Sequence, residues 1–76
     1  MTNTTTNTLN TGNIGSNIKR LRKEHKYSRE KFSELIDVSS RIIYDYEDGF
    51  KIPSLETLIR IATVFEVSLD SILRSA

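Results

Sequence analysis

Cysteine is absent from this 76-residue chain, which excludes a disulfide framework and any thiolate metal site and fits a reducing compartment. Histidine occurs once, as His25, so a metal centre built from several imidazoles is excluded too. Glycine is scarce, at three residues, and none of them forms a phosphate-cradling loop. Those three shortages leave a catalytic reading with almost nothing behind it. No apolar run approaches the roughly 18–20 residues of a membrane span, and the amino terminus lacks the charged, apolar and small-residue order of a signal peptide. The expectation is a cytoplasmic protein, neither exported nor bound to a membrane. At this length one domain is expected, close to the size at which a single core becomes marginal. There is no room beside it for an enzyme cleft or an effector pocket, and no cofactor is expected.

What is present reads as helix throughout, since no stretch alternates in the manner of a strand for more than a few residues. Residues 1–13 are built from Thr and Asn without charge or periodicity, the composition of a disordered tail. From residue 14 onward, start signals repeat: Tyr27-Ser28 with Phe32, Val38-Ser39 with Ile43, and Val67-Ser68 with Ile72. Each places an apolar residue before a serine cap and another at the fourth helical position, which is a hydrophobic staple. Ser54 repeats the device after Pro53, with Leu58 as the partner. Five helices are expected. The first runs from about Ser16 to Lys26 with Ile14, Ile18 and Leu21 buried and His25 in its last turn. The fourth runs from about Ser54 to Phe65, burying Leu55, Leu58, Ile59, Ala62 and Phe65, and the fifth from about Ser68 to Arg74. Between them, Tyr27–Gly49 holds two segments of only about two turns each. Phe32, Leu35 and Ile36 give the first its apolar stripe, and Ile43, Tyr46 and Glu47 mark the inner side of the second. Helices so short need a third element to pack on, an arrangement that leaves the second one's outer face free for a partner.

Net charge is only +1, but residues 19–31 hold seven Lys and Arg against Glu24 and Glu30, a local charge of +5. Such a basic pole either steers the domain toward a polyanion or is simply a solvated helix face.

With its flanks, the segment IGSNIKRLRKEHKYSREKFSELIDVSSRIIYDYEDGFKIPSLETLIRIATVFEVSLDSIL, residues 14–73, resembles the Cro/C1-type helix-turn-helix family of phage and bacterial repressors. The specific pieces are VSSRIIYDYEDG and the following IPSLETLIRIATVFEVSLDSIL. The resemblance implies an all-α, five-helix, lambda-repressor-like domain over residues 14–76. In it helix 3, Ser40 to about Glu47, would lie in the DNA major groove, and Arg22 would form a structural ion pair with Glu47. Three positions depart from the family: Asp37 stands where Gly is usual, Arg29 where Gln is usual, and Ser33 where Ala is usual. Aspartate tolerates the left-handed conformation that the turn needs, arginine can serve a phosphate as Gln would, and serine is small enough for close helix approach.

If Ile43 and Tyr46 face the core, the outer face of helix 3 carries Ser40, Arg41, Tyr44 and Asp45, the candidate base readers. Arg41 can bond guanine O6 and N7 together, and stands equally well as a solvated or phosphate-paired arginine. Tyr44 can meet a thymine methyl or a phosphate, and Asp45 suits holding Arg41 better than facing phosphates. Phosphate contacts are expected from Arg29, Ser28 and the backbone N–H groups at the start of helix 2, with Lys26, Lys31 and Lys51 as further candidates.

The leading reading is a sequence-specific DNA-binding transcriptional regulator, a repressor by resemblance, acting as a homodimer on an inverted repeat in double-stranded DNA. The alternative is a protein-interaction module of the same fold, such as an antitoxin or a regulatory subunit. Ile42, Phe50 and Ile52, expected to be exposed near the end of helix 3, suit either that role or a dimer interface.

Overall fold

In the computed structural model, residues 12–74 are described, and among them five helices and no strand are found. They are α1 (Gly12–Glu24), α2 (Arg29–Ile36), α3 (Ser40–Glu47), α4 (Leu55–Phe65) and α5 (Leu69–Leu73). The all-α, five-helix bundle read from the sequence is therefore the observed fold. No helix among the described residues is long and apolar enough to cross a membrane.

Four helices start at the serines singled out in the sequence. Ser28, Ser39, Ser54 and Ser68 each have extended backbone, and their Oγ atoms accept from the N–H of Lys31, Ile42, Thr57 and Ser71. Each bond satisfies one of the orphan donors of the first turn, an effect of about 1 kcal/mol per cap. The staple partners Phe32, Ile43, Leu58 and Ile72 all lie in the core.

The helix ends repeat as regularly as the starts. Lys26, Asp37 and Glu66 adopt positive φ, and the N–H of the residue after each turns back to a carbonyl of the preceding helix: Tyr27 to Arg22, Val38 to Ser33 and Val67 to Ala62. This is a Schellman closure three times over. The apolar residue after the left-handed one thus does two jobs, ending one helix and stapling the next. Aspartate accepts this conformation more readily than lysine or glutamate, so the turn at Asp37 is kept without glycine. Gly49 also has positive φ, at 83°, just past α3.

Several expectations differ from the structure. Helix α1 begins at Gly12, not Ser16, and ends at Glu24; the turn ahead of Ile14 is helical, so Gly12 and Asn13 belong to the helix and not to the tail. The rest of the expected tail, residues 1–11, lies outside the described residues. His25 stands in the turn after α1, its ring packed on Phe65 with centroids 5.0 Å apart. On α4 the buried stripe is Leu58, Ile61, Ala62 and Phe65, while Leu55 and Ile59 are 64% and 52% exposed. The helix is apolar on more than one side, so periodicity alone did not fix which stripe faces inward. Leu35 is likewise 40% exposed.

The core gathers one stripe from each helix, with Ile18, Phe32, Ile36, Ile43, Ile61 and Ile72 fully buried. Two polar details lock it. Asn17, itself buried, donates its Nδ2 to the carbonyls of Ile72 (2.8 Å) and Arg74 (2.6 Å), tying α1 to the end of α5. Gly15 lets α1 approach α3 so closely that a Cβ there would lie 2.1 Å from the Tyr46 carbonyl oxygen, the same oxygen that accepts from Gly49 N–H. Backbone cannot yield as a flexible side chain can, so Gly15→Ala is expected to cost about 1–3 kcal/mol by overpacking. Urea unfolding measures it; an unchanged midpoint would mean that α1 and α3 are not in this contact.

Candidate nucleic-acid interface

Helix α3 divides its residues cleanly. Ile43 and Tyr46 face the core, whereas Arg41 and Tyr44 are exposed and Ser40 and Asp45 are half-buried on the outer side. Because α2 and α3 meet through the three-residue turn at Asp37–Ser39 and pack on each other, that outer face is held in a fixed attitude.

The inner edge of α3 ends on a buried charge. The Glu47 side chain is 1% exposed. Its Oε2 accepts from Arg22 Nε at 2.6 Å and its Oε1 from Arg22 Nη2 at 3.2 Å, a forked pair from α1. Arg22 Nη1 also donates to the Tyr27 carbonyl at 2.9 Å, in the turn between α1 and α2. The third partner is Arg29 of α2, whose Nε donates to Glu47 Oε1 at 3.1 Å. One carboxylate therefore joins three helices.

Arg29 is thus not the free first-turn cation that its position in the sequence suggests. Besides Glu47 it covers Tyr44, with Cζ 4.2 Å from the ring centroid. Its side chain stays 31% exposed. Ser28, Arg29, Glu30, Ser40 and Tyr44 line, together with Arg22, an open cleft of about 320 Å³ between the starts of α2 and α3. The Ser28 Oγ is occupied by the Lys31 N–H, while Lys31 itself is exposed.

At the other end of the outer face, Asp45 lies between two cations. Its oxygens are 3.8 Å from Arg41 Nε and 3.8 Å from Lys51 Nζ, and its carbonyl accepts from the N–H groups of Phe50 and Lys51. The base-reading candidates Ser40, Arg41, Tyr44 and Asp45 are brought together on one helix face, with Ser28 and Arg29 across the cleft, Lys31 exposed on α2 and Lys51 in the loop past α3. Lys26 is exposed in the turn before α2. Ile42, expected at the surface, is half-buried against the core, whereas Phe50 and Ile52 are 78% and 59% exposed. With Leu55 and Ile59 they leave an apolar surface along the loop and the outer side of α4. The sequence showed neither the Asn17 bonds nor the Arg29–Tyr44 stack. Both join residues of different helices, and no periodicity within one helix reports such a contact.

Comparison with known proteins bears on this geometry. A helix-turn-helix family model matches residues 18–72. Among curated proteins, the uncharacterized HTH-type transcriptional regulators YobD and YqaE of Bacillus subtilis are similar. YobD is 36% identical over 56 residues, 74% of this chain and 50% of that protein. YqaE is 31% identical over 61 residues, 80% of this chain and 53% of that protein. The chain spans about half the length of these relatives. Among solved structures, the N-terminal DNA binding domain of SinR from Bacillus subtilis superposes with a TM-score of 0.77 at 29% identity, covering 84% of this chain and 94% of that one. SinR in complex with DNA gives 0.74 at 31% identity, covering 79% and 97%.

The buried carboxylate has a measurable consequence. Removing it leaves Arg22, only 6% exposed as a residue, without a counter-charge, so Glu47→Ala is expected to cost about 3–5 kcal/mol. The exposed pair Arg20–Glu24, at 3.3 Å on α1, provides the contrast, since Glu24→Ala should move stability by less than about 1 kcal/mol. Equal shifts in the unfolding midpoint for the two variants would exclude Glu47 as the fastener of α3.

Proposed function

The chain belongs to the Cro/C1-type helix-turn-helix family of transcriptional regulators, and from that membership we propose that it is a sequence-specific DNA-binding regulator, a repressor that lays α3 in the major groove. The observation that carries the reading is the two-sided character of α3. Its inner side is fastened by Ile43, Tyr46 and Glu47, and its outer side presents Arg41 and Tyr44 to solvent beside the basic pole of α1 and α2. In this reading Ser40, Arg41 and Tyr44 meet base edges, and Asp45 holds Arg41 and Lys51 in register. Lys26, Lys31, Lys51, Arg29 and the first N–H groups of α2 then meet phosphates. The SinR chain solved in complex with DNA is matched over 97% of its length, which supports the assignment of partner. No cofactor and no catalytic step enter it, and it places the protein in the cytoplasm with its DNA.

One protomer reads about 3–4 base edges from so short a helix, too few to select a site in a genome. A homodimer on an inverted repeat supplies the second half-site. The apolar surface of Phe50, Ile52, Leu55 and Ile59 lies beside the carboxyl end of α3 and suits that contact. The same surface favours the second reading, in which the domain works chiefly through a different protein partner.

Readers and positioners separate by experiment. Arg41→Ala is expected to weaken binding to the preferred sequence by about 1–3 kcal/mol and to relax preference at one base position, whereas Lys31→Ala should weaken all sequences alike. Selection of bound sequences at fixed salt reads both; an unchanged motif for Arg41→Ala would remove Arg41 from the reading face. Salt gives an independent check. Six phosphate contacts per dimer correspond to a log–log slope near −5, from about −0.9 per contact. A flat response, or no affinity for any duplex at low salt, would transfer the weight to the protein-partner reading.

A further inference from the structure

We infer that Arg29, a residue of α2, is a positioning residue for base recognition, because it fixes Tyr44 on the reading face of α3. The inference rests on the DNA-binding reading for its consequence, though not for its geometry. Tyr44 is 47% exposed, and an exposed aromatic side chain on a helix ordinarily moves among rotamers. Here the guanidinium of Arg29 lies over its ring at 4.2 Å from the centroid, within the range of a cation–π contact. Arg29 is itself restrained. Its Nε donates to Glu47, and Glu47 is buried and held from the other side by Arg22. The constraint therefore runs from α1 through a core carboxylate and α2 to a side chain on the surface of α3.

The shape of a guanidinium makes this arrangement compatible with a phosphate contact. Its Nε edge serves Glu47 and its face serves Tyr44, while the two Nη atoms make no hydrogen bond to the described residues. Those two remain for an anion in the cleft lined by Ser28, Ser40 and Tyr44. One side chain can then sense the DNA backbone and hold a base reader together. Glutamine, usual at this place in the family that the sequence resembles, can donate to Glu47 but offers no cation to the ring. An ordered reader saves the cost of immobilising it on binding, worth roughly 2- to 10-fold in affinity for the preferred sequence.

The test uses Arg29→Gln, with Tyr44→Ala as a second variant, and has one arm without DNA. In the free wild-type protein, three-bond couplings about χ1 should show Tyr44 in a single rotamer, with ring contacts to the Arg29 side chain. In Arg29→Gln they should average, while those of buried Tyr46 stay as they are. Averaged Tyr44 couplings in the wild type, or unchanged couplings in Arg29→Gln, overturn the inference whatever the protein binds. In the second arm, selected sequences for Arg29→Gln should lose preference at one base position, the same one lost in Tyr44→Ala, and keep the rest. The double variant should bind the preferred sequence no more weakly than Tyr44→Ala does, apart from one uniform phosphate loss. Loss of preference at different positions in the two single variants would overturn the inference. Failure of every variant and of the wild type to bind DNA would instead count against the DNA reading and leave the rotamer arm to decide this one.

Discussion

A single buried carboxylate organises this small protein. Glu47 closes α3, yet its oxygens are claimed by Arg22 from α1 and Arg29 from α2, so three helices meet at one charge. A buried ion pair is a costly way to gain stability, because desolvating its members offsets much of their attraction. What it supplies here is direction. Apolar contacts such as those of buried Ile43 would tolerate a small rotation or slide of α3, whereas a forked arginine–carboxylate bond tolerates little. Gly15 reinforces the constraint from the same side, letting α1 come up against the last turn of α3. The face that carries Arg41 and Tyr44 is thus aimed by contacts on the opposite face.

The charge distribution follows from the same arrangement. The basic pole of the sequence lies on α1 and the start of α2, but its members are not equivalent. Arg22 is buried and spent on Glu47, and Arg20 lies against Glu24. Arg29 is shared between Glu47 and Tyr44. Lys19 and Lys23 on α1 remain exposed, as do Lys26 and Lys31, and Lys51 joins them from beyond α3 within reach of Asp45. The cations open to a polyanion therefore run from α1 through the turn before α2 to α2 and the loop past α3.

Much of this was legible in the chain because it is local. Ser28, Ser39, Ser54 and Ser68 each carry their helix start within five residues, and all four caps are formed. The division of α3 into inner and outer residues follows from a 3.6-residue period in a segment too short to drift. The first turn of α1 was missed because Gly12 and Asn13 are poor helix formers, and tertiary packing of the following stripe overrides that preference. On α4 the trouble was surplus: Leu55 and Ile59 form as good a stripe as Leu58, Ile61, Ala62 and Phe65, and only the position of neighbouring helices decides between them. The partners of Asn17 and the second role of Arg29 lie 55 to 57 and 15 to 18 residues away along the chain, beyond the reach of any local pattern.

The repeated turn has a consequence for how the domain can change over time. At Lys26-Tyr27-Ser28, Asp37-Val38-Ser39 and Glu66-Val67-Ser68, one apolar residue completes the closure of one helix and the staple of the next. An inserted or deleted residue at any of these joints would break both at once, so their lengths are frozen. The stretch from Asp48 to Ser54 is built otherwise: its beginning hangs on the carbonyls of Tyr44, Asp45 and Tyr46, and its remainder is free of such double duty. Length variation has only that joint in which to accumulate, and the joint separates α3 from the apolar surface of α4. Insertions and deletions among descendants of this chain would accordingly alter the reach between those two surfaces while leaving each of them intact.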